Sequence, residues 1–192
     1  MEIRGAGELL GVKQSGQAGE VGLSMYCDLV ASEVKRLKGE VVERKFYATT
    51  NLHIPAYIPP DYLPNDDERL RYYKEFLEVS YEEKQTLLKK LEDICGPSPK
   101  ELKNLLEVMQ ISAVAGKNNI RHIEATSDYI EFFFIRNFKM PPDTITKLLE
   151  LFKGKIKFLP SPAGDGIRIY EENSDTLKAT KRNLDLIIRY LN

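Results

Sequence analysis

The sequence predicts an α+β fold, a small sheet flanked by helices. Three observations carry that expectation. Helical periods crowd into one block between Asp66 and Gly116; strand-like alternation returns from Ile120, with two more helices set among the strands. Helices grouped in one block, followed by a small sheet with its own helices, argue α+β. The apolar fraction of 42% in 192 residues is adequate for a packed core, which makes overall disorder a poor reading.

The elements follow in order. Residues 1–20 hold Gly5, Gly7, Gly11, Gly16 and Gly19, which favour tight turns and close approach over a core. From Leu23 a helical period runs through Tyr26, Leu29, Val30, Val34 and Leu37, and Gly39 supplies a stop. Residues 39–45 are the best linker, so the chain divides into 1–45 and 46–192. Phe46 to Ile54 alternates as a strand (Phe46, Ala48, Thr50, Leu52, Ile54). The segment Pro55 to Pro64 is stiffened by proline and can be neither helix nor central strand.

Three helices come next. The first spans about Asp66 to Leu77, with Leu70, Tyr73, Phe76 and Leu77 on its apolar face. The second opens on Ser80 with Glu83 three residues on, a capping box, and presents Leu87, Leu88, Leu91 and Ile94. The third opens on Ser98 and Pro99, with Glu101 completing a second box. Leu102, Leu105, Leu106, Met109 and Ala113 face the core, and Gly116 ends the helix. Ile120–Glu124 and Tyr129–Arg136 predict two strands, the second strongly apolar. A helix follows Pro141-Pro142, with Ile145, Leu148, Leu149 and Phe152, closed by Gly154. Strands at Ile156–Phe158 and Ile167–Ile169 flank the loop Pro160–Gly166. A last helix after Ser174 shows Leu177, Leu184, Ile187, Ile188 and Leu191.

Composition narrows the function. The 28 basic and 29 acidic residues nearly cancel, so the whole chain has no long-range field to steer it onto nucleic acid. Cys27 and Cys95 lie far apart without metal-ligand spacing, which points to buried structural thiols and a reducing, cytoplasmic setting. No apolar run reaches bilayer length and no signal peptide opens the chain; Met1-Glu2-Ile3-Arg4-Gly5 looks like a domain interior rather than a natural start.

Candidate chemistry is sparse. The run Gly5-Ala-Gly7-Glu-Leu-Leu-Gly11 lacks the preceding strand of a dinucleotide fingerprint and the Lys-Ser/Thr of a phosphate loop. His53 and His122 stand alone in sequence and read as ordinary surface or packing residues. Asp66-Asp67-Glu68, Glu82-Glu83 and Glu171-Glu172 read as first-turn helix charges. Lys139, Lys147, Lys153, Lys155 and Lys157 form a mildly basic stretch, in the first instance a solvated face. Tyr57, Tyr62, Tyr72, Tyr73 and Tyr81 fit core and connector packing better than base stacking. No catalytic or metal-binding constellation emerges, and no cofactor is expected on this chain.

Read whole, Ile3-Arg-Gly-Ala-Gly-Glu-Leu-Leu-Gly-Val-Lys-Gln-Ser-Gly16 resembles the translocation (TRG) motif that ends the motor of RecG helicases and of bacterial transcription-repair coupling factors (Mfd). Further on, Leu52-His-Ile-Pro-Ala-Tyr-Ile-Pro59, Asp61-Tyr-Leu-Pro64, Arg69-Leu-x-Tyr-Tyr-Lys74 and Gly96-Pro-x-Pro-x-x-Leu-x-Asn-Leu-Leu106 resemble the C-terminal domain that coupling factors carry and RecG lacks. The resemblance runs from Ile3 to about Glu124. It departs at Ile111–Gly116, which lacks the basic residues expected there, and at Lys117-Asn-Asn, where a Leu-Gly pair is more usual.

The resemblance implies a parent ATPase, using ATP and Mg, that moves on double-stranded DNA, pushes stalled RNA polymerase aside and recruits UvrA for nucleotide excision repair. It implies that residues 1–45 are the end of that motor. Arg4, Gly5, Gly7, Gly11 and Gln14 match motif positions that couple hydrolysis to movement, and a guanidinium suits such a role through its rigid forked donors. It implies that residues 46–192 are an autoinhibitory interaction module docking on an N-terminal UvrA-binding module. The alternative is a nucleic-acid-binding accessory domain of a RecG-like helicase.

Overall fold

A computed structural model describes residues 47–161, 164–172 and 174–191. The residues 1–46, which hold the glycine-rich segment, the helix expected from Leu23, Cys27 and the expected linker, lie outside the described residues. Those described fall into two units: Pro55–Met109, and 47–54 with 110–191.

The first unit is a proline connector and helices. Helix α1 (Asp66–Glu78) starts where Asn65 caps the Glu68 N–H at 3.0 Å, with Asp66, Asp67 and Glu68 in the first turn. Its buried face is Arg69, Tyr72, Tyr73 and Phe76, one residue off the expected stripe, because Arg69 replaces Leu70 inside. The Arg69 guanidinium donates to the carbonyls of Leu63 (2.6 Å) and Pro64 (3.0 Å) and pairs with Asp66. A connector with so many prolines makes few backbone bonds of its own, so a buried guanidinium satisfies its carbonyls. Tyr73 acts at the other end, accepting the Ile58 N–H at 2.8 Å; burial pushes its phenol pKa up.

Helix α2 (Tyr81–Cys95) forms the expected Ser80–Glu83 box in both directions. It buries Lys84, Leu88 and Leu91, whereas Ile94 is 74% exposed and Cys95 is only half-buried, against expectation for both. Helix α3 (Lys100–Lys117) lacks the second expected box. The Ser98 hydroxyl is buried without a hydrogen-bond partner, and the Ser98 N–H donates to Glu92 at 3.2 Å. Its first ten residues, with Leu102, Leu105, Leu106 and Met109 all buried, belong to this unit.

In the second unit α3 continues through Gly116, the expected stop, to Lys117. The stop comes from the Asn pair instead. Asn118 donates its side-chain amide to the Val114 carbonyl at 2.8 Å, and Asn119 takes the left-handed conformation at φ 62°, which asparagine tolerates. A five-stranded sheet follows, ordered β1-β2-β3-β5-β4. Its strands are β1 (Thr49–Asn51), β2 (Ile120–Ala125), β3 (Tyr129–Phe134), β4 (Ile156–Leu159) and β5 (Gly166–Tyr170). Strand β1 is shorter than the alternation suggested and runs parallel to β2; the other pairings are antiparallel.

One face of the sheet is closed. Ile123, Ala125, Ile130, Phe132 and Ile169 are at most 1% exposed. Helices α4 (Pro142–Phe152) and α5 (Thr176–Leu191) pack on each other, and α4 on β4. Helix α4 ends at Lys153, left-handed at φ 47°, with Gly154 following at φ 81°, and its Leu149 is 45% exposed although the period placed it inward. Glu171 and Glu172 precede α5 rather than start it. Glu171 accepts from Asn183 and pairs with Arg182, both on that helix.

Candidate functional site

The second face of the sheet is polar and accessible, and the strand register organises it into rows. Opposite partners place Asn51, Glu124, Glu131, Arg168 and Lys157 in one line, one residue per strand. Beside it run Thr49, His122, Phe133, Gly166 and Leu159. A third, shorter row pairs Tyr129 with Tyr170.

The central row sets two carboxylates directly opposite each other, which by itself is destabilising. Each is compensated from a different side. Glu131, only 7% exposed, accepts from Arg168 Nε at 2.7 Å and lies 2.6 Å from its Nη2. The same Arg168 lies 4.3 Å from the centre of the Tyr129 ring and 5.8 Å from that of Tyr170. Hydrogen bonds that it donates to Glu131 and Tyr170 raise its pKa further, so it stays cationic at any physiological pH. Glu124 accepts from the Asn51 amide at 3.1 Å. Its two oxygens also face the two histidines, His53 Nε2 at 3.8 Å and His122 Nε2 at 3.5 Å.

The histidines that stand alone in sequence are therefore gathered on one carboxylate. His53 reaches it from the left-handed conformation, φ 52°, with Nδ1 held 3.1 Å from the Ala125 carbonyl, an acceptor only, so that nitrogen carries the proton. His122 Nδ1 lies 2.7 Å from the Thr49 hydroxyl. Among the described residues, no cluster of three or more His, Cys, Asp or Glu has the geometry of a metal site. Phe133 has its ring centre 5.9 Å from that of His122 and 5.6 Å from the Arg121 guanidinium. It lies across Gly166, where a Cβ would meet its ring at 2.7 Å. Strand alternation could have put Glu124, Glu131 and Arg168 on a common side; their alignment depends on register, which no short-range signal gives.

The motif residues Arg4, Gly5, Gly7, Gly11 and Gln14 lie outside the described residues. Lys139, Lys147, Lys153, Lys155 and Lys157 are all exposed, and Lys157 ends the central row. Of the tyrosines read as packing residues, Tyr72 and Tyr73 are buried, Tyr62 donates to the Gly96 carbonyl and Tyr81 to Glu107, while Tyr57 is 41% exposed. Among the described residues, no helix is long and apolar enough to cross a membrane.

Comparison with known proteins places this architecture. The family model described as the TRCF domain matches residues 52–156. The transcription-repair-coupling factor of Haemophilus influenzae is 33% identical over 172 residues, covering 82% of this chain and 15% of that protein. That of Rickettsia conorii is 31% identical over 163 residues, covering 83% and 14%. The chain thus spans about a seventh of the length of these curated relatives. A solved structure described as the C-terminal domain of transcription-repair coupling factor matches with a TM-score of 0.55 at 20% identity, covering 74% of this chain and 94% of that one, a likeness of fold. With more than half of its residues inside the matched region, the chain belongs to the TRCF domain family, the family of the transcription-repair coupling factors.

Proposed function

We propose that this chain is the C-terminal part of an ATP-dependent DNA translocase that removes stalled RNA polymerase and couples transcription to nucleotide excision repair. Within it, residues 46–192 act as an interaction module that restrains the parent by masking its UvrA-binding region. The observation that carries the reading is the family match over residues 52–156. Hydrolysis of ATP with Mg would belong to motor lobes elsewhere in the parent. What this part has to offer is surface, and a surface regulates only by binding one state of a machine better than another. Moving a population from mostly closed to mostly open needs about 5 kcal/mol of differential affinity. Tethering supplies an effective concentration of roughly millimolar for a short flexible linker, so even a modest polar contact can hold.

Removing residues 46–192 from the full-length parent is expected to raise UvrA binding and basal DNA-dependent ATPase activity. Adding the isolated module in trans should restore restraint poorly, because the tether is gone. Unchanged UvrA affinity and ATPase after truncation would reject the restraint reading. A coupling role for the glycine-rich motif has its own test. Arg4→Ala and Gln14→Ala in the parent should spare hydrolysis while impairing translocation, and loss of both in proportion would assign those residues to nucleotide contact or folding instead.

A further inference from the structure

The accessible face of the sheet has a property that a docking module does not require. It displays aromatic rings on neighbouring strands, Phe133 and Tyr129 on β3 and Tyr170 on β5, with Tyr170 40% exposed. Permanent cations are interleaved with them: Arg121 over Phe133, Arg168 over both tyrosines, and Lys157 at the end of the central row. Of the two carboxylates on the face, Glu131 is neutralised locally by Arg168, whereas Glu124 keeps its charge and accepts a hydrogen bond from Asn51. Two exposed acids, Asp128 and Glu172, stand at the end near Tyr129 and Tyr170; exposed Lys155, whose carbonyl accepts the Tyr170 N–H, stands there as well. The four cations on the face, Arg121, Arg168, Lys155 and Lys157, match its four carboxylates in number, and the second unit as a whole has thirteen basic against ten acidic residues over 110–191.

We propose that this face binds single-stranded nucleic acid, with bases stacking on Tyr170 and Phe133 and phosphates meeting Lys157, Lys155 and Arg121. A flat sheet bearing rings on adjacent strands suits unpaired bases, because every base offers a π-face and stacking tolerates any sequence. A duplex hides its base faces and could use only the lysines. An acidic peptide could use the cations but not the rings. Arg168 fits the same scheme as a positioning residue: held by Glu131, it fixes the plane of both tyrosines before any ligand arrives. The proposal does not rest on the restraint reading, since it concerns a surface of this chain alone.

The test is fluorescence anisotropy of the 192-residue chain with a labelled twelve-nucleotide mixed-sequence DNA strand, its RNA counterpart and the matching DNA duplex, at low and moderate salt. Both single strands should bind, and more tightly than the duplex. The slope of log affinity against log salt should shrink by about 0.7 for each phosphate contact removed by Lys157→Glu or Lys155→Glu. Tyr170→Ala should weaken binding about tenfold, whereas Tyr170→Phe, which keeps the ring, should not. Lys147→Glu on α4, away from the face, should leave affinity unchanged, and melting curves of the variants should overlay that of the parent chain. Absence of binding at low salt, a duplex bound as tightly as the strand, displacement by poly-glutamate at equal charge, or a Tyr170→Ala chain that binds normally would each overturn it.

Discussion

The two units solve the same problem, where to satisfy buried backbone, in opposite ways. In Pro55–Met109 the backbone around the prolines has few ladder partners, so side chains go inside to serve it. Arg69 serves the carbonyls of Leu63 and Pro64, Tyr73 the N–H of Ile58, and Lys84 the carbonyl of Val79. In the sheet unit the strands mostly satisfy one another, and the cations lie on the open face: Lys157 exposed, Arg168 half-buried on Glu131, and Arg121 half-buried with its Nε donating to the Phe134 carbonyl. The net charges follow the same division. Residues 55–109 hold eight basic and twelve acidic side chains, with three of the cations already buried or half-buried (Arg69, Lys84, Lys74), while 110–191 are net basic. A near-neutral whole therefore conceals two regions of opposite sign. The lesson is that the first unit turns its buried cations onto the backbone, whereas the sheet unit mainly pairs side chains across strands and leaves Lys157 and Tyr170 exposed.

The largest expected effect probes the sheet core. Phe132 is fully buried at the centre of β3, so Phe132→Ala should destabilise the fold by about 3–5 kcal/mol in denaturant titration. A cost below about 1 kcal/mol would mean the closed face is loosely packed. Next comes the contrast itself. Arg69→Met keeps the aliphatic packing and orphans the buried Leu63 carbonyl and the part-buried Pro64 carbonyl, and should cost about 2–3 kcal/mol. Arg168→Met should cost at least as much, because it leaves Glu131, only 7% exposed, without its cation. A cost well below that of Arg69→Met would mean that the Glu131 carboxylate reaches water once Arg168 is gone.

Gly164 tests the loop between β4 and β5. It sits at φ 121°, and a Cβ there would collide with the Phe134 carbonyl oxygen, so Gly164→Ala should lower stability by about 1–3 kcal/mol. Gly154→Ala, at φ 81° but with open space around a Cβ, should cost only the left-handed backbone penalty, about 1–2 kcal/mol. The smallest effect is electrostatic. Burial pushes the Glu171 pKa up, but hydrogen bonds from Arg182 and Asn183 and the charges of Arg182 and Lys155 bring it net below its ordinary 4.5. A depressed folded pKa contributes stability above pH 4.5 that is lost as pH falls through the folded value. Glu171→Gln should therefore flatten the acid limb of the stability profile, and an unaltered limb would assign the acid sensitivity elsewhere.

Local signals in the chain were sufficient for much of this. Hydrophobic period, the Ser80–Glu83 box and the prolines at 141 and 142 located the helices and strands of the described residues within a few positions, because each depends on neighbours three or four residues away. The α+β class followed from their order. Tertiary structure decided the rest. It shortened the strand at 46–54 to three residues and put Arg69 rather than Leu70 inside α1. It moved the end of α3 from Gly116 to the Asn118–Asn119 turn. Above all it drew His53 and His122, apart in sequence, onto Glu124, and aligned Glu131 with Arg168. Those meetings depend on which strands pair and in what register, a choice set by long-range burial that short-range pattern does not encode.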